Sequence, residues 1–160
     1  MNADKDRPHP FLRMPVPWVF VTGYLVGLVV QLLVPIPMGT KALILATQAV
    51  GIFLLALGVA LAVWAQWIFR KERTTTDPNE TSSRLVAWGP YKFSRNPMYV
   101  GLFLVFIGLS GAFEQVWSIA CLLFVFYYLS QFVIPFEERQ LRRTFGESYE
   151  RYYKTVRRWV

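Results

Sequence analysis

One cysteine and one histidine are all that this chain offers a soft metal ion. Cys121 stands alone inside an apolar run, so no intramolecular disulfide is available and its thiol is expected to pack as a small core residue. His9 lies in the N-terminal tail, which excludes a His/Cys metal cluster, and a site built from carboxylates alone is not expected either. No metal is therefore assigned. Acidic residues are scarce as well: 10 Asp and Glu stand against 17 Lys and Arg, a net charge of +7. A basic balance can mark a nucleic-acid binder. Here no nucleic-acid-binding motif accompanies it and the basic residues flank apolar runs, so no nucleic-acid partner is expected. Also missing is a G-x-G-x-x-G turn after a strand, which leaves a Rossmann-type nucleotide site unsupported.

Charge of either sign is absent from long stretches. The chain is 54% hydrophobic and 17% charged over 160 residues, more apolar than the roughly 45–50% of soluble domains. Four separate apolar runs would need more polar surface to cover them than the sequence contains. The expected class is an all-α integral membrane protein with four transmembrane helices at about 18–35, 42–69, 98–113 and 116–136. A polar, proline-rich tail over 1–17 precedes them, and residues 18–160 form a single domain. No small-residue cleavage site follows the first run, so it reads as an uncleaved span. The second run, about 28 residues at about 1.5 Å each, exceeds a ~30 Å hydrocarbon core and must tilt or protrude. The turn "SGAFEQ" is short enough to make the third and fourth runs a tight helical hairpin.

Lys5, Arg7 and Arg13 precede the first span, and only Lys41 lies in the first connection. Arg70, Lys71, Arg73, Arg84, Lys92 and Arg95 crowd the middle loop. None lies in the hairpin turn, and Arg139, Arg142, Arg143, Arg151, Lys154, Arg157 and Arg158 crowd the C-terminal segment. This alternation places both termini and the long loop in the cytoplasm. Trp18, Trp64, Trp67 and Trp117 fall near span ends, where indole rings prefer to sit. After Pro135, Leu141, Phe145, Tyr149, Tyr152, Val156 and Trp159 recur at one helical face. That predicts an amphipathic cytoplasmic helix over about 137–158, with a bend at Gly146. It reads as a helix lying on anionic lipid, and the same helix can also serve as a lid over a pocket. Gly23 and Gly27 form a span-packing pair that serves either a homodimer or contacts inside one bundle.

Two polar clusters should meet at the cytoplasmic end. "GPYKFSRNPMY" supplies Tyr91, Arg95, Asn96 and Tyr99, and Glu137 and Glu138 follow Pro135. Each residue has an ordinary reading. Glu137 and Glu138 complement a helix N-terminus, Arg95 snorkels, and Asn96 caps a helix that begins at Pro97. Together they make a pocket holding both signs of charge at one membrane depth. S-adenosylmethionine matches such a pocket, with a carboxylate for Arg95, an ammonium and hydroxyls for the glutamates, and a sulfonium and adenine for aromatic rings. A lipid headgroup matches it as well. Tyr127, Tyr128 and Gln131 stand where a lipophilic substrate could touch the fourth span, although packing accounts for them equally.

The sequence resembles the isoprenylcysteine carboxyl methyltransferase and phospholipid methyltransferase superfamily. The resemblance rests on Gly89-Pro90-Tyr91, then Arg95-Asn96-Pro97-Met98-Tyr99-Val100-Gly101. After an apolar hairpin come Glu137-Glu138-Arg139-Gln140-Leu141 and Phe145-Gly146 with Tyr149 and Tyr152. It implies an integral membrane methyltransferase using S-adenosylmethionine. Arg95 and Glu138 would be its catalytic pair, and Tyr91, Asn96, Pro97, Tyr99, Gly101 and Glu137 would line the cofactor site with them. Tyr149 and Tyr152 would close it. Asn96 stands where the carboxyl methyltransferases commonly carry histidine, which moves the resemblance towards the broader, mostly prokaryotic branch. The acceptor would be a lipophilic amine, carboxyl or thiol in the membrane, with Glu137 or Glu138 as base for an amine. Two other readings stand beside it: an NADPH-dependent membrane reductase of the sterol-reductase type, whose C-terminal hairpin is similar, and a non-catalytic dimerising membrane protein.

Overall fold

In the computed structural model, residues 15–37, 39–72 and 85–160 are described. The tail to residue 14 and the middle-loop residues 73–84, with Arg73 and Arg84, lie outside them. Among the described residues the chain is all helix: α1 (Val16–Leu33), α2 (Lys41–Lys71), a 3₁₀ turn (Gly89–Lys92), α3 (Pro97–Ala112), α4 (Val116–Tyr128), a π turn (Leu129–Val133), α5 (Ile134–Phe145) and α6 (Glu147–Thr155). Three helices are long and apolar enough to cross a membrane: α1, α2 and the continuous run Val116–Phe145. At 16 residues, α3 is apolar but shorter. Leucine, valine and phenylalanine side chains stand exposed along α1, α2 and α4, as they do where lipid is the solvent.

What sets the bundle is close backbone approach. Gly51, Gly58 and Ala65 recur every seventh residue of α2 and are its buried positions, with Ile68. Gly101 and Gly108 repeat the interval on α3. A seven-residue repeat keeps small residues on one seam, and in lipid such seams drive association through packing and not through hydrophobicity. The two helices run antiparallel. A Cβ added at Gly58 would lie 2.6 Å from the Gly101 carbonyl oxygen, and one at Gly108 would lie 2.7 Å from the Gly51 carbonyl oxygen. α1 packs on α4 by the same means, because a Cβ at Gly27 would lie 2.6 Å from Ser118 Oγ and one at Gly23 would lie 2.8 Å from Val125. Gly23 and Gly27 thus pack against α4 inside the bundle.

The pairing corrects one detail of the expected hairpin. Phe113–Gln115 does make a tight reversal, helped by Glu114 at φ 56° and by Gln115 N–H donating to the Ser110 carbonyl at 2.7 Å. Yet the main partner of α3 is α2, and that of α4 is α1. The small-residue seams outcompete chain proximity. α1, α3 and α4 meet in a core of Val16, Phe20, Tyr99, Phe106, Leu122, Val125, Leu129, Val133 and Ile134. Half-buried Cys121 lies on α4.

The fourth span does not stop at Pro135. Proline lacks an N–H and its ring crowds the carbonyl four residues back, so a helix usually ends or kinks there. Here the chain widens into the π turn, where Ile134 N–H reaches the Leu129 carbonyl, and Pro135 falls in the first turn of α5. The expected single C-terminal helix is also two. Gly146, at φ 50° and ψ −124°, breaks it in a conformation that side chains with a Cβ resist. α6 ends at Thr155, so Val156 and Trp159 do not extend the helical face.

These contacts separate two kinds of glycine. Gly58→Val meets backbone atoms of α3, and we expect a loss of about 1–3 kcal/mol or more. Gly146→Ala meets nothing within 4 Å and carries only the backbone cost, about 1–3 kcal/mol. Thermal unfolding in detergent should show both losses, and chemical crosslinking of α2 to α3 should fail only in Gly58→Val.

Candidate functional site

The basic ends of the helices gather at one end of the bundle, and there Arg95 organises the chain. It precedes Asn96 and Pro97, and Pro97 starts α3 as the sequence predicts. The Arg95 side chain is 8% exposed and its Nη2 donates to Glu138 Oε1 at 2.9 Å. Its Nη1 donates to the carbonyls of Tyr153 at 2.9 Å and Val156 at 2.6 Å. Those carbonyls end α6, where a cation offsets the negative end of the helix dipole. Arg95 Cζ also lies 4.0 Å from the centroid of the Tyr153 ring, and Arg142 Cζ lies 4.3 Å from it.

Beyond α6 the chain runs as a strap across the foot of α3. Arg95 N–H donates to the Arg157 carbonyl at 2.9 Å. Ser94 Oγ and Asn96 Nδ2 both donate to the Arg158 carbonyl, at 3.2 and 3.0 Å. Asn96 therefore occupies the capping position without capping. Its amide is spent on the strap, and Ser94 Oγ accepts from its N–H instead. Arg158 Nη2 and Nε reach Glu138 Oε2 and Oε1, at 2.7 and 3.2 Å. Trp159 packs on Phe103 and Phe126. Glu138 is thus buried between two guanidiniums with both oxygens engaged. A buried ion pair of this kind is costly to break from one side, about 3–5 kcal/mol.

Glu137, one residue earlier and about 100° around the helix, faces α3. One of its oxygens accepts from the Tyr99 hydroxyl, and the other has no hydrogen bond to a described residue. Tyr91, buried in the 3₁₀ turn, packs against Phe69 with centroids 5.2 Å apart and ring planes inclined by 56°. Burial, then Tyr152 and Glu137, push its phenol well above the ordinary range. Tyr152 donates to the Tyr91 carbonyl at 2.8 Å, and burial raises its phenol against the opposing pull of Arg95. Tyr149 is 1% exposed, and burial followed by Glu138 raises its phenol while Arg95 and Arg142 oppose. All three are neutral donors at physiological pH. The Tyr149 and Tyr152 face of α6 is therefore turned into the protein.

The predicted site residues separate into groups. Arg95, Glu137, Glu138, Asn96, Tyr91, Tyr99, Tyr149 and Tyr152 converge at this end. Pro97 is buried at the start of α3 in a purely architectural position. Gly101 is drawn away to the α2 seam, its added Cβ 2.9 Å from Ala62 N. Ser94, Tyr153, Arg158 and Trp159 complete the cluster and were not predicted as site residues. A continuous helical face had put Val156 and Trp159 on a helix, whereas an extended strap alternates its side chains and turns Arg158 inward beside exposed Arg157. Four buried side-chain atoms at this end lack a hydrogen-bond partner among the described residues: Arg95 Nε, Ser130 Oγ in the π turn, Tyr149 Oη, and Arg142 Nε, which is ion-paired with Glu150.

A family model described as phospholipid methyltransferase matches residues 46–148. No curated protein and no solved structure matches the chain. The matched stretch runs from α2 into the start of α6 and contains Tyr91, Arg95, Asn96, Tyr99, Glu137 and Glu138. Covering more than half of the chain, it identifies this protein as a member of the phospholipid methyltransferase family, within the integral membrane methyltransferases.

Proposed function

We propose that the protein transfers a methyl group from S-adenosylmethionine to a lipophilic acceptor in the membrane, a lipid amine, carboxyl or thiol. The observation that carries this reading is the Glu137 carboxylate, with one oxygen uncommitted, in a cluster with Tyr91, Tyr99 and the buried Arg95–Glu138 pair. The donor set fits a zwitterionic nucleoside. Glu137 offers an acceptor for an ammonium or ribose hydroxyls, and aromatic rings are present for a purine and a sulfonium. Arg95 Nε and Tyr149 Oη are buried donors without acceptors. When bound, the cofactor supplies a methyl carbon made electrophilic by the adjacent sulfonium.

Glu138 and Arg95 serve this site from behind. Their ion pair holds α6 and the strap over it, which excludes water and fixes geometry, and well-aligned reactants are worth up to about 7–11 kcal/mol. Arg95 remains close enough to matter to a ligand, but its two Nη groups belong to the strap. The carboxylate free to accept a proton from an amine is Glu137 and not Glu138. A carboxylate acceptor would need no base. The charge bias of the basic foot supports a reading with four membrane-crossing segments, α3 the short one, and with the site and both termini in the cytoplasm. A reductase reading finds less support. A nicotinamide dinucleotide 2′-phosphate calls for uncommitted basic groups, and the two guanidiniums inside the cluster, Arg95 and Arg158, are both paired with Glu138.

Calorimetry on the full chain in detergent should record binding of S-adenosylhomocysteine and none of NADPH, and a labelled methyl donor should mark a lipid extract. Binding of NADPH alone would overturn the reading. Glu137→Gln retains an acceptor for Tyr99, so its Tm should stay close to that of the parent. Its affinity for S-adenosylhomocysteine should fall about tenfold or more, as expected for a lost charged hydrogen bond. Glu138→Gln should do the reverse first. It leaves two guanidiniums facing a neutral amide, and a fall in Tm should precede any change that calorimetry assigns to the ligand.

A further inference from the structure

Within the proposed donor site, one pair of groups has no task in the fold. Tyr149 is among the most deeply buried side chains of the protein, yet its hydroxyl has no hydrogen-bond partner. Its neighbour on α6, Tyr152, by contrast spends its hydroxyl on the Tyr91 carbonyl. Arg95 is equally enclosed, and of its three guanidinium nitrogens only Nε lacks a partner. Both groups pack on Tyr153: Arg95 Cζ lies 4.0 Å from the centroid of its ring, and the Tyr149 ring lies 6.2 Å from it, centroid to centroid. A buried polar group left unmatched is costly, and native structures keep few of them. Two such groups, both donors and both packed against the Tyr153 ring, call for an acceptor carrying negative charge. The nearest acidic groups do not answer that call. Glu138 has both oxygens engaged by Arg95 and Arg158, and Glu150 is ion-paired with Arg142.

We propose that Tyr149 Oη and Arg95 Nε form a carboxylate subsite that holds the amino-acid carboxylate of the methyl donor. Resting on the function proposed above, it adds the place of that group: between the lid helix and the residue that closes its C-terminus. Tyr149 lies outside the matched family stretch, which ends at residue 148. The subsite also explains why α6 is tied down so heavily. Arg95 fixes the carbonyls of Tyr153 and Val156, which sets the pitch at which the Tyr149 hydroxyl enters the cluster.

The test pairs Tyr149→Phe with two ligands, S-adenosylhomocysteine, which has the carboxylate, and 5′-methylthioadenosine, which lacks it. Arg95 is unsuitable for substitution because it also clamps the strap. Tyr149→Phe keeps the ring and deletes only an unpartnered hydroxyl, so Tm should hold or rise. Calorimetry should show S-adenosylhomocysteine binding weakened about tenfold, the scale of one hydrogen bond to a charged group, and methylthioadenosine binding unchanged. Tyr152→Phe serves as the opposite control, with a lower Tm. Equal losses for both ligands, no loss for either, or a fall in Tm for Tyr149→Phe would overturn the subsite. Should the parent protein bind neither ligand, the methyl-donor reading itself falls. Should it bind both with equal affinity, that reading stands and the subsite falls.

Discussion

One guanidinium ties together parts of the chain that nothing else joins. Arg95 reaches a carboxylate on α5, two carbonyls that end α6 and, through its own N–H, the strap beyond. α6 is nine residues long, too short to persist alone in water. It exists because its C-terminal carbonyls are capped by a buried cation and its Tyr149 and Tyr152 are buried against the bundle. The charge is tolerable because Glu138 neutralises it and two α6 carbonyls accept its hydrogen bonds, while Arg158 takes the other Glu138 oxygen. Polar groups of this kind at a membrane foot do not stabilise the fold by their pairing alone. What they supply is a single arrangement for a lid that could otherwise float on the lipid surface.

The bundle beneath the lid obeys a different rule. In lipid, apolar side chains gain little from leaving one another for the solvent, so the seams belong to the smallest residues. The heptad of Gly51, Gly58 and Ala65 against Gly101 and Gly108 brings α2 and α3 into backbone contact, and Gly23 and Gly27 do the same for α1 on α4. The consequence reaches the site. α3 is anchored rigidly along α2, and its foot therefore presents Tyr99 and Arg95 at a fixed height. Gly101 belongs to that support and not to the ligand cluster, although it sits inside the motif block.

Much of this was legible in the sequence, for definite reasons. The apolar runs, the basic foot and the meeting of Arg95 with the glutamates follow from side-chain chemistry at fixed spacing. The helix break at Gly146 follows from conformational freedom at that residue. What escaped was whatever the main chain does. The strap is held largely through the carbonyls of Val156, Arg157 and Arg158, which any residue possesses, so no pattern announces it. Pro135 signals a helix end, and only tertiary packing of Leu129, Val133 and Ile134, all deeply buried, makes a π turn the better solution. The seven-residue glycine interval was visible but carries meaning only once lipid, and not water, is taken as the solvent.

Two neighbouring glutamates show how a helix divides tasks that a sequence motif writes side by side. Successive residues point about 100° apart, so Glu137 and Glu138 cannot serve one ligand in the same way. Glu138 looks outward to the strap and meets two arginines. Glu137 looks inward to Tyr99 and keeps an oxygen uncommitted. The π turn just before them has a part in this. A π turn adds a residue to a helical turn, which shifts the angular position of everything that follows by about one residue step. Without it, α5 would present a different residue to α3, and the carboxylate facing Tyr99 would be displaced from the cluster. A helix irregularity that accommodates Pro135 and is held by the packing of Leu129, Val133 and Ile134 thus sets which acid faces Tyr99 and which one faces the strap.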